Sequence, residues 1–121
     1  MLVLSSRVHT YARPAVKESL TEFFAQILEA EVIPLPGTSM LAFRFADGSS
    51  YSVEFTEDAL DEQQARRGAW LELQTDNPEA LKKKVLEAGL PQVEYVTGRF
   101  YFQAPGGQIW GIVPFRDKQG P

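Results

Sequence analysis

One order of elements occurs twice in this chain of 121 residues: strand, helix, strand, strand, strand. Residues 7–13 (RVHTYAR) open the first round, because valine, threonine and tyrosine favour extended backbone and Pro14 ends the run. The period then changes. Over residues 15–30, Val16, Leu20, Phe23, Phe24, Ile27 and Leu28 recur on one face of a helix, with Lys17, Glu18, Glu22 and Gln26 largely outside that stripe. Residues 31–35 (EVIPL) predict a strand that Pro34 confines to an edge, and Pro36-Gly37 turns the chain. Residues 40–46 alternate, Asp47-Gly48 signals a hairpin turn, and residues 50–56 return as a strand. In that strand Tyr51, Val53 and Phe55 share one face, and Ser52, Glu54 and Thr56 the other.

The second round repeats the pattern. Residues 57–67 (EDALDEQQARR) are polar and poorly patterned, and read as a linker with room for one helical turn. A strand follows at 69–75, with Trp70, Glu72 and Gln74 facing one way and Leu71, Leu73 and Thr75 the other. Asn77 then caps a helix whose first residue is Pro78; Leu81, Val85 and Ala88 form its buried stripe, Lys82, Lys83 and Lys84 a solvated face, and Gly89 its stop. Strands are expected at 92–96, 99–104 and 109–115, the last two joined by a turn at Pro105-Gly106-Gly107-Gln108.

A duplicated unit of this size buries only one face of its sheet against its own helix, so the other must meet the sister unit or stay wet. The expected fold class is α+β: two βαβββ modules forming a curved mixed sheet around a central cleft, where a small ligand would bind. The first module is 1–57, the linker 58–67, the second module 68–115 and a tail 116–121, together one domain. A ferredoxin-like βαββαβ pair is the near rival, but three consecutive strands after each helix point away from it.

Composition narrows the function. With 44% hydrophobic and 23% charged residues the chain is that of an ordinary globular protein. No run approaches the roughly 18 apolar residues of a membrane span, and the start is too short in apolar residues for a signal-peptide core. The absence of cysteine excludes thiol catalysis and Cys-ligated metals, and it fits a reducing compartment, so a cytoplasmic location is expected. A net charge of -4 argues against a general nucleic-acid binder. The one histidine, His9, limits any imidazole chemistry, and no Ser-His-Asp arrangement or phosphate-binding loop can be assigned.

Three segments carry a family resemblance. KESLTEFFAQILEAEVI is similar to the helix and second strand of the vicinal oxygen chelate superfamily, which includes glyoxalase I, bleomycin-resistance proteins and extradiol dioxygenases. ELQTDNPEALKKKVLEAGL resembles its second helix, and FYFQAPGGQIWGIV its closing hairpin. The likeness spans nearly the whole chain and rests on the order and spacing of soft motifs. It implies a homodimer and, in the metalloenzymes, a divalent ion (Zn, Fe, Mn or Ni) held by His, Glu or Gln from the first and last strand of each module.

Carried over residue by residue, that pattern points to His9, Glu54 and Glu72 as metal ligands, with Glu54 and Glu72 also a candidate catalytic carboxylate pair. It also meets two departures: Trp70 occupies a usual histidine position, and Gly111 stands where an acid is usual. The expectation is therefore a protein that binds a small, partly aromatic or apolar molecule without a metal. Arg7, His9, Tyr11, Trp70, Gln74 and Tyr101 are its candidate ligand-binding residues. The alternatives are a metal-dependent lyase, isomerase or dioxygenase of the same superfamily, and a regulatory or assembly module without chemistry.

Overall fold

A computed structural model describes residues 1–115, so the tail expected at 116–121 lies outside the described residues. The chain divides into two units, Met1–Asp61 and the part from Glu62 onward.

In the first unit β1 (Arg7–Ala12), β2 (Glu31–Pro34), β3 (Met40–Arg44) and β4 (Ser50–Phe55) form one mixed sheet in the order β1-β4-β3-β2. The last three strands are an antiparallel meander, and β4 returns to lie parallel to β1. Pro34 stands on β2, at the edge, where its missing N–H breaks no ladder.

The helix expected over 15–30 is in fact three kinds of turn. A 3₁₀ turn (Pro14–Val16) leads into α1 (Lys17–Glu22), and a π-helical turn (Phe23–Ile27) follows. The wide turn buries two consecutive aromatics, Phe23 and Phe24. Phe24 stacks on Phe43 of β3 with ring centroids 4.2 Å apart, lies 5.1 Å from Tyr51 of β4, and takes the edge of Phe23 at 5.1 Å. Such pairs are each worth about 0.5–1.5 kcal/mol beyond simple burial. This cluster seals one face of the sheet and leaves the alternate residues on the other.

The second unit repeats the arrangement. β5 (Leu71–Thr75), β6 (Gln92–Val93), β7 (Tyr101–Gln103) and β8 (Ile109–Pro114) order as β5-β8-β7-β6, with β5 parallel to β8. Before them comes a single helical turn, α2 (Glu62–Ala65), and between β5 and β6 runs α3 (Pro78–Glu87). Asn77 caps α3 by accepting from the Ala80 N–H at 3.1 Å, and Gly89 at φ +77° ends it. Val85 of α3 is fully buried, as is Phe102 on the sheet, with Trp110 and Ile112 nearly so.

Most strands end a residue or two short of expectation, and β6 and β7 lose three residues each. The pairing predicted over 92–96 stops at Val93, and the strand predicted over 99–104 begins at Tyr101. The cause is a turn in which Gly98, at φ +72°, donates its N–H to the Tyr95 carbonyl and draws Tyr95 out of the ladder.

The expected linker is held at both ends. Arg13 donates to the Ala59 carbonyl at 2.9 Å in the first unit. In the second, buried Gln103 donates to the carbonyls of Glu62 (2.6 Å) and Gly107 (3.1 Å) and accepts from Arg66 at 3.1 Å. A Cβ on Gly107 would stand 2.6 Å from the Ala65 Cβ, so α2 packs directly on that glycine. Among the described residues no helix is long and apolar enough to cross a membrane.

Two outcomes follow for stability. Gly107→Ala combines a positive φ with a steric conflict and should cost about 3 kcal/mol or more. Gly48→Ala, at φ +88° but in open space, should cost only about 1–2 kcal/mol. Urea unfolding of the two variants checks the difference.

Burial pushes the Tyr51 phenol above its ordinary pKa of 10.0, with a Thr10 hydrogen bond pulling more weakly the other way. Because the folded value is the higher one, this stabilisation is whole below about pH 10 and is lost as pH rises further. The urea midpoint should therefore fall faster above pH 10 in the native protein than in Tyr51→Phe; parallel curves would contradict this.

Candidate functional site

The register of each parallel pair decides which side chains share a face. In the first unit Arg7, His9 and Tyr11 stand exposed on β1, opposite Ser50, Ser52 and Glu54 of β4. All six project from the face that the Phe24 cluster leaves uncovered. His9 Nδ1 lies 2.8 Å from Ser52 Oγ, and the Tyr11 ring meets the imidazole edge-on at 5.2 Å. Ser52 Oγ also lies 3.4 Å from the Val8 carbonyl, so one hydroxyl joins the imidazole to the β1 backbone, with the donor between Nδ1 and Oγ set by the tautomer. With Nδ1 engaged by Ser52, Nε2 is the ring nitrogen left for another partner. The sequence shows no sign of Ser52 in this role, because the two residues are 43 positions apart.

In the second unit, Trp70 lies just before β5 and donates its indole N–H to the Arg66 carbonyl at 2.9 Å. Its ring centroid is 5.1 Å from Tyr101 of β7 and 5.0 Å from Tyr95, and the two tyrosines are 6.2 Å apart. Tyr95, which is not among the residues expected from sequence, is 53% exposed and completes this trio. The rings are too close to admit another between them, which would need roughly 8–9 Å, about twice an ordinary stacked spacing. A flat ligand would lie against the outside.

Below the trio is Gly111. The register sets it between Glu72 of β5 and Tyr101 of β7. A Cβ there would sit 3.0 and 3.2 Å from two Tyr101 ring carbons and 3.6 Å from the Glu72 Cγ. The position where the resemblance implies an acid is thus covered by an aromatic ring. Glu72 itself receives a hydrogen bond from Arg99 Nη1 at 2.9 Å, and that arginine side chain is only 11% exposed. Gln74, on the same face of β5, is exposed.

Arg7, His9, Tyr11 and Glu54 therefore belong to one unit, and Trp70, Glu72, Gln74 and Tyr101 to the other. Among the described residues no three of His, Cys, Asp and Glu are grouped as a metal ion would require. The second unit suits a cation poorly: a guanidinium already pairs with Glu72, and the Tyr101 ring lies against Gly111. His9 has its ring held by Ser52 through Nδ1, as metal-binding imidazoles are held by an outer partner.

The sequence matches no protein-family model and no curated protein. Solved structures do match in fold. A glyoxalase family protein from Bacillus anthracis aligns with a TM-score of 0.73 at 16% identity, covering 93% of this chain and 94% of that one. The fosfomycin resistance protein FosX from Listeria monocytogenes aligns with a TM-score of 0.68 at 16% identity, covering 94% of each chain. A mutant of that FosX, complexed with Mn(II) and 1S,2S-dihydroxypropylphosphonic acid, aligns at 0.67 with 19% identity, over 93% of this chain and 90% of that one. The chain therefore shares the fold of these glyoxalase family and FosX structures, in line with the fold that the resemblance implied.

Gly111→Ala should displace the Tyr101 ring, change the near-ultraviolet circular dichroism, and cost about 1–3 kcal/mol. Adding Tyr101→Ala should recover part of that loss. A double-mutant cycle by urea unfolding with no coupling between the two positions would refute the contact.

Proposed function

We propose that this chain is a small-molecule binding protein of the glyoxalase and bleomycin-resistance type, taking a flat, partly aromatic ligand without a metal. The observation that carries this reading is the Trp70–Tyr95–Tyr101 trio built over Gly111, at the position of an expected acid. Aromatic faces with a few polar neighbours favour planar, apolar molecules. Gln74, on the same face of β5, is a further polar ligand-binding candidate, and Arg7, His9 and Tyr11 are the candidates of the first unit. One domain of two modules, assembled as a homodimer in the cytoplasm, completes the proposal.

A second reading is favoured by His9. Its Nδ1 is held by Ser52, which leaves Nε2 available in the way metal-binding imidazoles are oriented. The resemblance names His9, Glu54 and Glu72 as the ligands of a divalent ion; a chain that used them would be a lyase, isomerase or dioxygenase, and a structure of the FosX mutant complexed with Mn(II) supports metal use in this fold. The Arg99–Glu72 pair weighs against Glu72 as a ligand, so the metal-free reading ranks first.

Elemental analysis of the purified protein, together with fluorescence titration by a panel of flat aromatic molecules, tests the two. The expected result is no tightly held ion, and quenching that disappears in Trp70→Phe. About one ion per chain, lost in His9→Ala, would instead establish the second reading.

A further inference from the structure

The trio of rings does not stand alone: a carboxylate of unusual setting is built beside it. Glu72 and Tyr101 flank Gly111 on one face of the sheet, and Trp70, two residues before Glu72, touches Tyr101. Arg99, largely buried, holds Glu72 by one oxygen, Oε2. The other oxygen, Oε1, receives no hydrogen bond from any of the described residues, and the Glu72 side chain is 46% exposed.

This setting selects among aromatic ligands. The guanidinium fixes the carboxylate and offsets its charge, so a cationic ligand gains little net attraction from the pair. A neutral N–H or O–H group gains a hydrogen bond to Oε1, and an ionised acceptor makes a stronger bond than a neutral one. An anionic ligand would meet the carboxylate itself. We propose that Glu72 Oε1 reads a neutral hydrogen-bond donor attached directly to the ligand's aromatic ring, so that the ligand class is phenols, indoles or arylamines with the ring against Trp70, Tyr95 and Tyr101. This inference rests on the aromatic-ligand reading above and adds the donor requirement to it.

A matched pair of probes separates the two claims. 2-Naphthol and 2-methoxynaphthalene have the same ring system and differ in the donor. Their binding is measured by calorimetry and by nuclear magnetic resonance shifts of Trp70. The native protein should prefer the naphthol by about tenfold. Glu72→Gln, which keeps an acceptor, should retain a preference, and Glu72→Leu should abolish it while still binding both probes. Equal affinities in the native protein, or a preference that survives Glu72→Leu, would overturn the donor inference and leave the aromatic platform standing. Absence of binding by either probe, with no shift at Trp70, would overturn both.

Discussion

Strand alternation, locked in register by the parallel pairs β1–β4 and β5–β8, is the constraint on which the rest of this structure depends. A parallel pair cannot be closed by a tight turn. Each unit therefore spends its helix and two further strands on the connection, and the helix seals one sheet face. In the first unit the seal is the stack of Phe24 on Phe43 and Tyr51. Every second residue of β4 is then buried, Val8, Thr10 and Ala12 of β1 share that face, and the residues between them go to the other. That is why Arg7, His9 and Tyr11 appear together, and why Ser52 meets His9.

The two units share this logic but not their chemistry. The first presents an oriented imidazole among polar neighbours. The second presents three aromatic rings and an arginine–carboxylate pair. The divergence turns on Gly111: without a side chain, its backbone admits the Tyr101 ring, and the ring in turn gives Trp70 a surface to rest on. A residue chosen for what it lacks thereby shapes the character of a whole face.

Much of this was readable in the sequence, and the gaps have physical causes. Pro34 marked an edge strand, Asn77-Pro78 marked a helix start, and the alternation over residues 50–56 marked the buried set Tyr51, Val53 and Phe55. These signals are local. The π-helical turn was hidden because Phe23, Phe24 and Ile27 fit the period of an ordinary helix equally well. Tyr95 was hidden because its place depends on the turn closed by Gly98. The Arg99–Glu72 pair spans 27 residues and exists only once the register of β5, β8 and β7 is set. Pairings of that kind have no one-dimensional signature.

The docking of the linker has a consequence for how such a chain can be divided. Ala59 is tied to Arg13, and Glu62 to Gln103, so the polypeptide passes from one unit to the other within Leu60-Asp61. A backbone severed there would leave each fragment with its own four-stranded ladder, its own helix and its own tether. The boundary is thus a natural seam at which to divide the polypeptide, with the backbone bonds of each unit left whole on its own side.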